Sequence, residues 1–321
     1  LNNGVDLVVE LPTVYAVSNA QRFASCGVEI AKSFDCVNYL AFGCEVNNIN
    51  LLKTAADALD DVNVKKIIAE SMKNGDYYPR ALENAVNTVF GNDVSQVLSQ
   101  PNNILAAEYL RALNKSGISP LPIKRTGVEH DSSSATKNIA SASLIRQLMR
   151  NGDDVSNLVP NLVSKITYPE HLERAAIVKL RSMSKKDFAK LPDVNEGLEN
   201  RIFDSVHKYN SVEEIIFAIK TKRYTHARLR RIITCALLGI TEELQQIPCK
   251  YARILGFSNE GEKLLKTCRF EIVTSPAKYL RKKGNDIRLF EKDILASDIA
   301  AAAYEDISSC GSDFHTQIIK I

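Results

Sequence analysis

The order of apolar and polar positions along the chain predicts an α/β first half. Residues 5–11 form a short, nearly continuous apolar run that ends at Pro12, a pattern typical of a strand buried on both faces of a parallel sheet. Apolar residues then recur with helical spacing over residues 19–34, and residues 37–42 predict a second strand that closes on Gly43. Strand, helix and strand in this order predict a βαβ unit with a right-handed crossover.

The remainder of the chain is predicted to be mainly helical. Helical spacing covers residues 47–60, 64–73, 78–90, 101–114 and 139–150, with a short extended segment at 120–125 and a polar loop at 126–138. Beyond about residue 168 the pattern is helical except for one predicted strand at 270–274. We therefore predict a Rossmann-like α/β domain with a parallel sheet in residues 1–155, followed by a mostly helical domain in residues 156–321.

Composition and charge narrow the class of protein. Hydrophobic residues make up 45% of the 321 residues, enough for a buried core, and the net charge of +3 is too small to indicate a nucleic-acid partner by itself. Seven cysteines without a CxxC pair favour reduced thiols over disulfides or a metal site. No apolar run reaches the roughly 20 residues that cross a membrane, and no secretory leader is recognised, so we expect a cytoplasmic protein. Because the chain starts at Leu1 directly before an apolar strand, we also expect an N-terminal piece to be absent.

Polar residues follow the predicted strands at the edge where a nucleotide would bind. Ligands of parallel α/β sheets lie at the carboxyl ends of strands, and Gly43 allows the backbone there to approach adenine or ribose closely. Asn102 and Asn103 stand at a predicted helix start, one as an N-cap and the other with an amide free for a ligand. Arg125 ends an extended segment and suits triphosphate oxygens. A simple turn at Gly43 and a solvated edge at Arg125 are the plainer interpretations, and Glu45 is interpreted first as the cap of the next helix.

The segment from Ile139 to Arg146 is the most specific pattern in the chain. Ser141 or Ser143 at the start of a helix places a hydroxyl beside free backbone amides, which is an anion site, and Arg146 can neutralise phosphate charge. A plain N-capped amphipathic helix begins in the same way. A hydroxyl-rich start followed by arginine is also the pattern of nucleotidylyltransferases. The polar loop before it, which contains His130, is either a lid over ATP or an ordinary surface loop.

A dense run of cations in the second half indicates an RNA-binding surface. Its members are Lys220, Lys222, Arg223, Tyr224, Arg228, Arg230 and Arg231, with no acidic residue among them. Arg228 and Arg231 are three residues apart and share a helix face, Tyr224 can stack on an unpaired base, and Thr225 can cap the helix. The alternative is a solvated helix face. A second basic stretch at residues 278–288 extends the predicted surface.

Seven blocks of sequence, in the same order, resemble the bacterial tRNA(Met) cytidine acetate ligase family. They are LNNGVDLVVELP (residues 1–12), FGCE (42–45), PNNILA (101–106), IKR (123–125), IASASLIR (139–146), LPDVNEGLENRI (191–202) and KTKRYTHARLRR (220–231). The resemblance covers nearly the whole chain. It implies that the first domain is a Rossmann-like sheet of the nucleotidylyltransferase type and that the second binds tRNA.

The resemblance also implies a defined reaction. Such enzymes use ATP, with Mg²⁺ carried by the nucleotide, to activate acetate as acetyl-adenylate. They then transfer the acetyl group to N4 of the wobble cytidine in elongator tRNA(Met). Carried over by motif, Gly43, Asn103 and Arg125 are the ATP contacts, with Asn102 beside them. The family's fold opens with a strand leading into a His-x-Gly-His-like motif; none of the five histidines here stands in one, and we expect the absent N-terminal piece to carry it.

Two other functions stay open from the sequence. A nucleotidylyltransferase acting on a small molecule would use the same serine–arginine helix, although it has no need of a basic second half. Pyrophosphate release that is independent of tRNA and acetate would favour it. A non-catalytic RNA-binding protein is the other alternative, and failure to bind ATP at millimolar concentration would favour that role. The oligomeric state is not predicted.

Overall fold

A computed structural model describes residues 1–125, 140–159, 166–282, 284 and 286–321 of the chain. The elements of its first part are β1 (Leu7–Glu10), α1 (Thr13–Ala16), α2 (Ala20–Ser33), β2 (Tyr39–Cys44), α3 (Ile49–Asp60), α4 (Val62–Lys73), α5 (Tyr78–Phe90), α6 (Asn92–Val97), α7 (Pro101–Leu113), β3 (Ser119–Lys124) and α8 (Ala142–Asn151). The helices predicted from apolar spacing begin and end within three residues of these bounds. The predicted loop with His130 lies outside the described residues.

The second part is mainly helical, with three further strands among the described residues. Its elements are α9 (Glu173–Arg181), α10 (Lys185–Phe188), α11 (Leu198–Lys208), α12 (Val212–Ile219), α13 (His226–Leu238), β4 (Tyr251–Phe257), α14 (Asn259–Leu265), β5 (Glu271–Val273), α15 (Pro276–Arg281), α16 (Arg288–Ala301), α17 (Ser312–His315) and β6 (Ile319–Lys320). The strand predicted at 270–274 is β5. The prediction of a single strand was wrong, because the mostly apolar run of β4 fits a buried helix segment equally well.

Short polar side chains determine where many of the helices begin. Asn19, Asn48, Asp61 and Thr225 each precede a helix in extended backbone and accept a hydrogen bond from an amide in its first turn. Such caps satisfy donors that have no partner inside the helix. The predicted cap at Thr225 is therefore confirmed.

Strands β2 and β3 form a two-stranded parallel sheet, and this is the part of the structure that agrees with the predicted fold. Gly43 lies opposite Ile123, near the carboxyl ends of both strands. One face buries Phe42 and Cys44 in a hydrophobic cluster with helices α3 to α7, where the Phe42 ring stacks on Tyr109. The other face exposes Ile123 and other large apolar side chains of both strands. The described sheet is thus covered on one side.

Strand β1 does not belong to that sheet, so the predicted βαβ unit is wrong. It pairs antiparallel with β4, with Leu7 opposite Phe257, and β4 also pairs in parallel with β5 and β6. The apolar run at residues 5–11 contains a strand as predicted, but β1 is only partly buried and its pairing is antiparallel, so the predicted burial on both faces of a parallel sheet was wrong. Its partner lies about 250 residues away along the chain, and local periodicity carries no information on pairing over that distance.

A buried polar network ties β1 and β4 to the C-terminal helices. Arg253 of β4 forms ion pairs with Glu10 of β1, at 3.0 Å, and with Asp313 of α17. Asp293 of α16 accepts the Tyr251 hydroxyl and, at 2.7 Å, the backbone amide at the start of α1. Burial raises the pKa of both Glu10 and Asp293 above the ordinary carboxyl value, against the opposing charge of Arg253.

The hydrophobic core consists of two clusters, and helix α2 contributes to both. Val28 packs in the first cluster with β2 and helices α3 to α7. Ile30 and Phe34 pack in the second cluster with α9 to α13, β4 and α16. Residues at the start of the chain therefore share a core with its second half. The boundary at residue 155 between two domains stays a prediction.

No helix in the described part of the chain is both long and apolar enough to cross a membrane.

Candidate functional site

The carboxyl ends of β2 and β3 lie next to the start of helix α7. The backbone amide of Arg125 donates to the carbonyl of Cys44 at 2.9 Å, which holds the residue after β3 beside the end of β2. The Arg125 side chain is exposed and passes over Gly43, with its Cγ 3.7 Å from where a Cβ would stand on that glycine. Gly43 is also exposed, so this edge offers backbone and a guanidinium group to a ligand.

Asn103 is completely buried at this edge, and its amide has a defined orientation. Its Oδ1 accepts the backbone amides of Glu45, at 2.9 Å, and of Val46, at 3.2 Å. Two donors require an oxygen at that position, so the amide nitrogen Nδ2 must point the other way. Within the described residues this Nδ2 is buried and has no hydrogen-bond partner. A buried donor without a partner is costly and marks a place where a ligand atom can accept.

Glu45 holds the start of α7 rather than capping the next helix along the chain. Its Oε1 accepts the backbone amide of Asn102 at 3.2 Å and the side-chain amide of Asn102 at 2.6 Å. Helix α3, which Glu45 was predicted to cap, is capped by Asn48 instead. The prediction that Asn102 or Asn103 caps α7 was also wrong, because that helix begins at Pro101 without a side-chain cap.

The thiol of Cys44 does not add a nucleophile to this group. Burial raises the pKa of the Cys44 thiol, and the nearby charge of Glu45 raises it further. The sulfur lies 3.6 Å from the carbonyl oxygen of Ile123, toward which the thiol donates. Cys44 is therefore a protonated, buried side chain.

The serine–arginine segment forms helix α8 as predicted. The Ser141 hydroxyl is buried and accepts the amide of Leu144 at 3.1 Å, so Ser141 is the N-cap. Arg146 is exposed and donates to the Ser143 hydroxyl at 3.3 Å. The hydrogen bond described for Ser143 and Arg146 joins the two residues to each other. It does not connect them to the group formed by Gly43, Asn103 and Arg125.

Much of the cationic run in the second half makes contacts within the protein. Arg228 donates twice to the carbonyl oxygen of Asp193, from Nε at 3.0 Å and from Nη2 at 2.5 Å, and once to Asn195 at 2.8 Å. Arg231 pairs with the Asp193 carboxylate at 3.0 Å. Arg223 pairs with Glu196 at 2.9 Å. These three arginines hold the loop between α10 and α11, in which Asp193 and Glu196 adopt positive φ angles of 62° and 55°.

This arrangement corrects part of the predicted RNA surface. Tyr224 is buried, with the guanidinium groups of Arg201 and Arg228 over its ring at 5.9 and 5.2 Å, so it is not free on the surface to stack on a base. Arg230 forms an exposed pair with Glu213. Lys220 and Lys222 are exposed. The sequence did not identify the three arginine contacts to the loop, because their partners Asp193 and Glu196 lie 27 to 38 positions away along the chain.

Sequence and structure comparisons identify the family. A sequence model of the HIGH nucleotidyl transferase family matches residues 1–313. The tRNA(Met) cytidine acetate ligases of Thermoanaerobacter sp. (strain X514) and Clostridium acetobutylicum are 34% and 32% identical to the chain, over its whole length and 85% of theirs.

Solved structures agree with the sequence matches. The crystal structure of Thermotoga maritima TmcAL in its apo form matches with a TM-score of 0.91 and 26% identity, over all of this chain and 86% of that one. The same protein bound with alpha-thio ATP matches with a TM-score of 0.86. The mixed α/β fold and the resemblance of the seven sequence blocks are thereby confirmed. The chain belongs to the HIGH nucleotidyl transferase family and, within it, to the tRNA(Met) cytidine acetate ligases.

Proposed function

We propose that this protein is an ATP-dependent ligase that acetylates N4 of the wobble cytidine of elongator tRNA(Met). In the first step an acetate oxygen attacks the α-phosphorus of ATP, which forms acetyl-adenylate and releases pyrophosphate. In the second step the cytidine amine attacks the acetyl carbonyl carbon, loses a proton and releases AMP. The similarity to tRNA(Met) cytidine acetate ligases over the full chain supports this assignment.

The amide of Asn103 is the observation in this structure that carries the proposal. Its oxygen is committed to two backbone amides, and its buried nitrogen has no acceptor among the described residues. ATP offers acceptors on the base, the ribose and the phosphates, so one nucleotide atom can satisfy this donor. The position of Asn103 at the carboxyl edge of parallel strands is where such sheets bind nucleotides.

The other nucleotide contacts follow from the same edge. Gly43 allows the nucleotide to approach the β2 backbone, and the exposed guanidinium of Arg125 suits phosphate oxygens. Asn102, Ser141, Ser143 and Arg146 remain proposed ATP contacts as well, since the hydroxyls and cation of α8 suit a polyphosphate. We expect Mg²⁺ to arrive with the nucleotide, because Mg²⁺ is commonly bound through substrate phosphates.

The tRNA surface is proposed to lie on the second half of the chain. Lys220 and Lys222 are exposed cations at the end of α12 and the turn that follows. Arg230 lies on the next helix, α13, and its exposed ion pair with Glu213 is weak enough to open toward a phosphate. Arg223, Arg228 and Arg231 hold the loop before α11, and Tyr224 packs under Arg228, so these four residues support the proposed surface through the local fold.

Acetate-dependent exchange between ATP and labelled pyrophosphate tests the first step of the proposed reaction. The full-length protein is expected to exchange label only when acetate is present, because the reverse reaction needs acetyl-adenylate. Exchange that is independent of acetate would instead indicate a nucleotidylyltransferase with another substrate. Binding of ATP without any exchange, with or without tRNA, would contradict the ligase.

A further inference from the structure

Glu45 has one carboxylate oxygen in use and, within the described residues, one without a partner. Oε1 accepts both the backbone and the side-chain amide of Asn102 and so holds the start of α7. Oε2 is buried, and no hydrogen-bond partner for it exists in the part of the chain that the structure describes. The residue follows Cys44 directly at the end of β2, two positions after Gly43.

An unpaired, buried carboxylate oxygen indicates a missing donor. A carboxylate accepts hydrogen bonds and donates none when ionised, so only a donor can complete it. Leaving a charged acceptor buried without a partner costs more than leaving a neutral one. The neighbouring Nδ2 of Asn103 has the complementary need for an acceptor. Among the described residues, two buried groups next to the end of β2 therefore lack partners, one requiring a donor and the other an acceptor.

We infer that Glu45 is a nucleotide-specificity residue whose Oε2 accepts a hydrogen bond from a ribose hydroxyl of ATP. The phosphates are anionic and are repelled by a carboxylate, whereas the ribose offers two hydroxyls that each both donate and accept. An acidic residue at the end of a parallel strand recognises ribose in the same way in dinucleotide-binding sheets. The inference rests on the proposed ATP site, and it makes that site selective for ribonucleotides.

Binding measurements with ATP, 2′-deoxy-ATP and 3′-deoxy-ATP test the inference. Calorimetric titration of the full-length protein is expected to give at least one deoxynucleotide a dissociation constant about tenfold higher than that of ATP, the usual size for a lost hydrogen bond to a charged group. Glu45→Met keeps the length of the side chain but accepts no hydrogen bond there. In this variant the ratio of the deoxynucleotide dissociation constant to the ATP dissociation constant is expected to fall to about one.

A matched variant separates recognition of ribose from support of the helix. Asn102→Ala removes the side-chain amide that Glu45 holds but leaves the carboxylate in place, so the ratio is expected to stay at about ten even if overall affinity falls. Glu45→Gln retains an acceptor for the Asn102 amides and serves if Glu45→Met does not fold. Its expected ratio is about threefold or less, because its remaining group is neutral.

The outcomes distinguish this inference from the proposed function. ATP binding with the same affinity for both deoxynucleotides, or a ratio that Glu45→Met and Glu45→Gln leave unchanged, overturns the role of Glu45 while the ATP site stands. The role of Glu45 is also overturned if the protein binds both deoxynucleotides as well as ATP but binds GTP more weakly, and Glu45→Met removes that preference for the base. If the wild-type protein binds no ATP at millimolar concentration, the proposed function and this inference both fail.

Discussion

Asn103 shows how one side chain can connect local structure to a ligand site. Its oxygen joins the start of α7 to the turn after β2, while its buried nitrogen has no partner among the described residues. The sequence predicted a ligand amide at this position from the pair of asparagines at a helix start. It did not predict that Glu45, 57 residues earlier, holds Asn102. Contacts of this kind depend on the folded arrangement of β2 and α7 and not on any local pattern.

Asn103→Asp is expected to weaken ATP binding at least about tenfold and also to lower stability, because its second carboxylate oxygen is buried and charged. The aspartate retains an acceptor for the two backbone amides, but it replaces the Nδ2 donor with an anionic oxygen that repels the nucleotide. Calorimetric titration with ATP measures the effect. Asn87→Asp, at an exposed position on α5, is the control with the same change of charge. Equal ATP affinity for the two variants would contradict the proposed role of Asn103.

At the scale of elements, the loop before α11 depends on arginines from the following segments. Asp193 and Glu196 occupy left-handed backbone conformations that cost energy in residues with a side chain, so the loop needs external contacts to persist. Arg228 provides three hydrogen bonds to it, and Arg231 provides an ion pair. The sequence correctly indicated a dense cationic helix. Its interpretation as a solvent-facing stripe was incomplete, because charge density alone does not reveal which cations are already paired.

Arg228→Ala is expected to lower the free energy of unfolding by about 1.5–3 kcal/mol, the usual range for hydrogen bonds that involve a charged group. Arg230→Ala removes only an exposed ion pair, with both side chains more than 60% exposed, and is expected to cost less than about 1 kcal/mol. Chemical denaturation of both variants measures the difference. Equal losses would show that Arg228 does not support the loop.

Reversing the charge of Lys220 and Lys222 together is expected to weaken tRNA binding about tenfold at low salt. Each lysine neutralises up to one phosphate, and the affinity should also become less dependent on salt concentration. The control exchanges Lys66 and Lys73 of α4, both exposed, for glutamate, which changes net charge by the same amount. Filter binding or fluorescence anisotropy provides the comparison. If the control weakens binding as much as the test pair, the effect reflects overall charge rather than this surface.

At the scale of the whole molecule, the start of the chain is built into the core of its second half. Pairing of β1 with β4 and packing of α2 in both hydrophobic clusters join the two parts. The helices and the extended segments that form β2 and β3 could be predicted, because apolar spacing and polar caps are local signals; the pairing of β2 with β3 could not, since the two strands lie about 80 residues apart. The partner of β1, by contrast, depends on which surfaces meet after folding.

Asp293 is expected to make stability depend on pH. Burial raises the pKa of Asp293 in the folded protein, so folding favours the protonated carboxyl group. The stability that the protonated Asp293 contributes is present at low pH and is lost as the pH rises through the raised pKa. Asp293→Asn keeps an acceptor for the amide of Thr13 but carries no charge. The variant should therefore gain stability relative to wild type as pH rises, by about 1.4 kcal/mol for each unit of pKa elevation. Denaturation at pH values from below the ordinary aspartate pKa of about 3.9 up to about 8 measures this gain, and a difference between the proteins that is constant or falls with pH would contradict it.

The most direct test of the assigned activity is nucleoside analysis of tRNA(Met) after incubation with the full-length protein, ATP and acetate. We predict that N4-acetylcytidine appears at the wobble position, that its formation needs both ATP and acetate, and that Asn103→Asp reduces it. Intact ATP binding without any acetylcytidine in elongator tRNA(Met) would contradict the account.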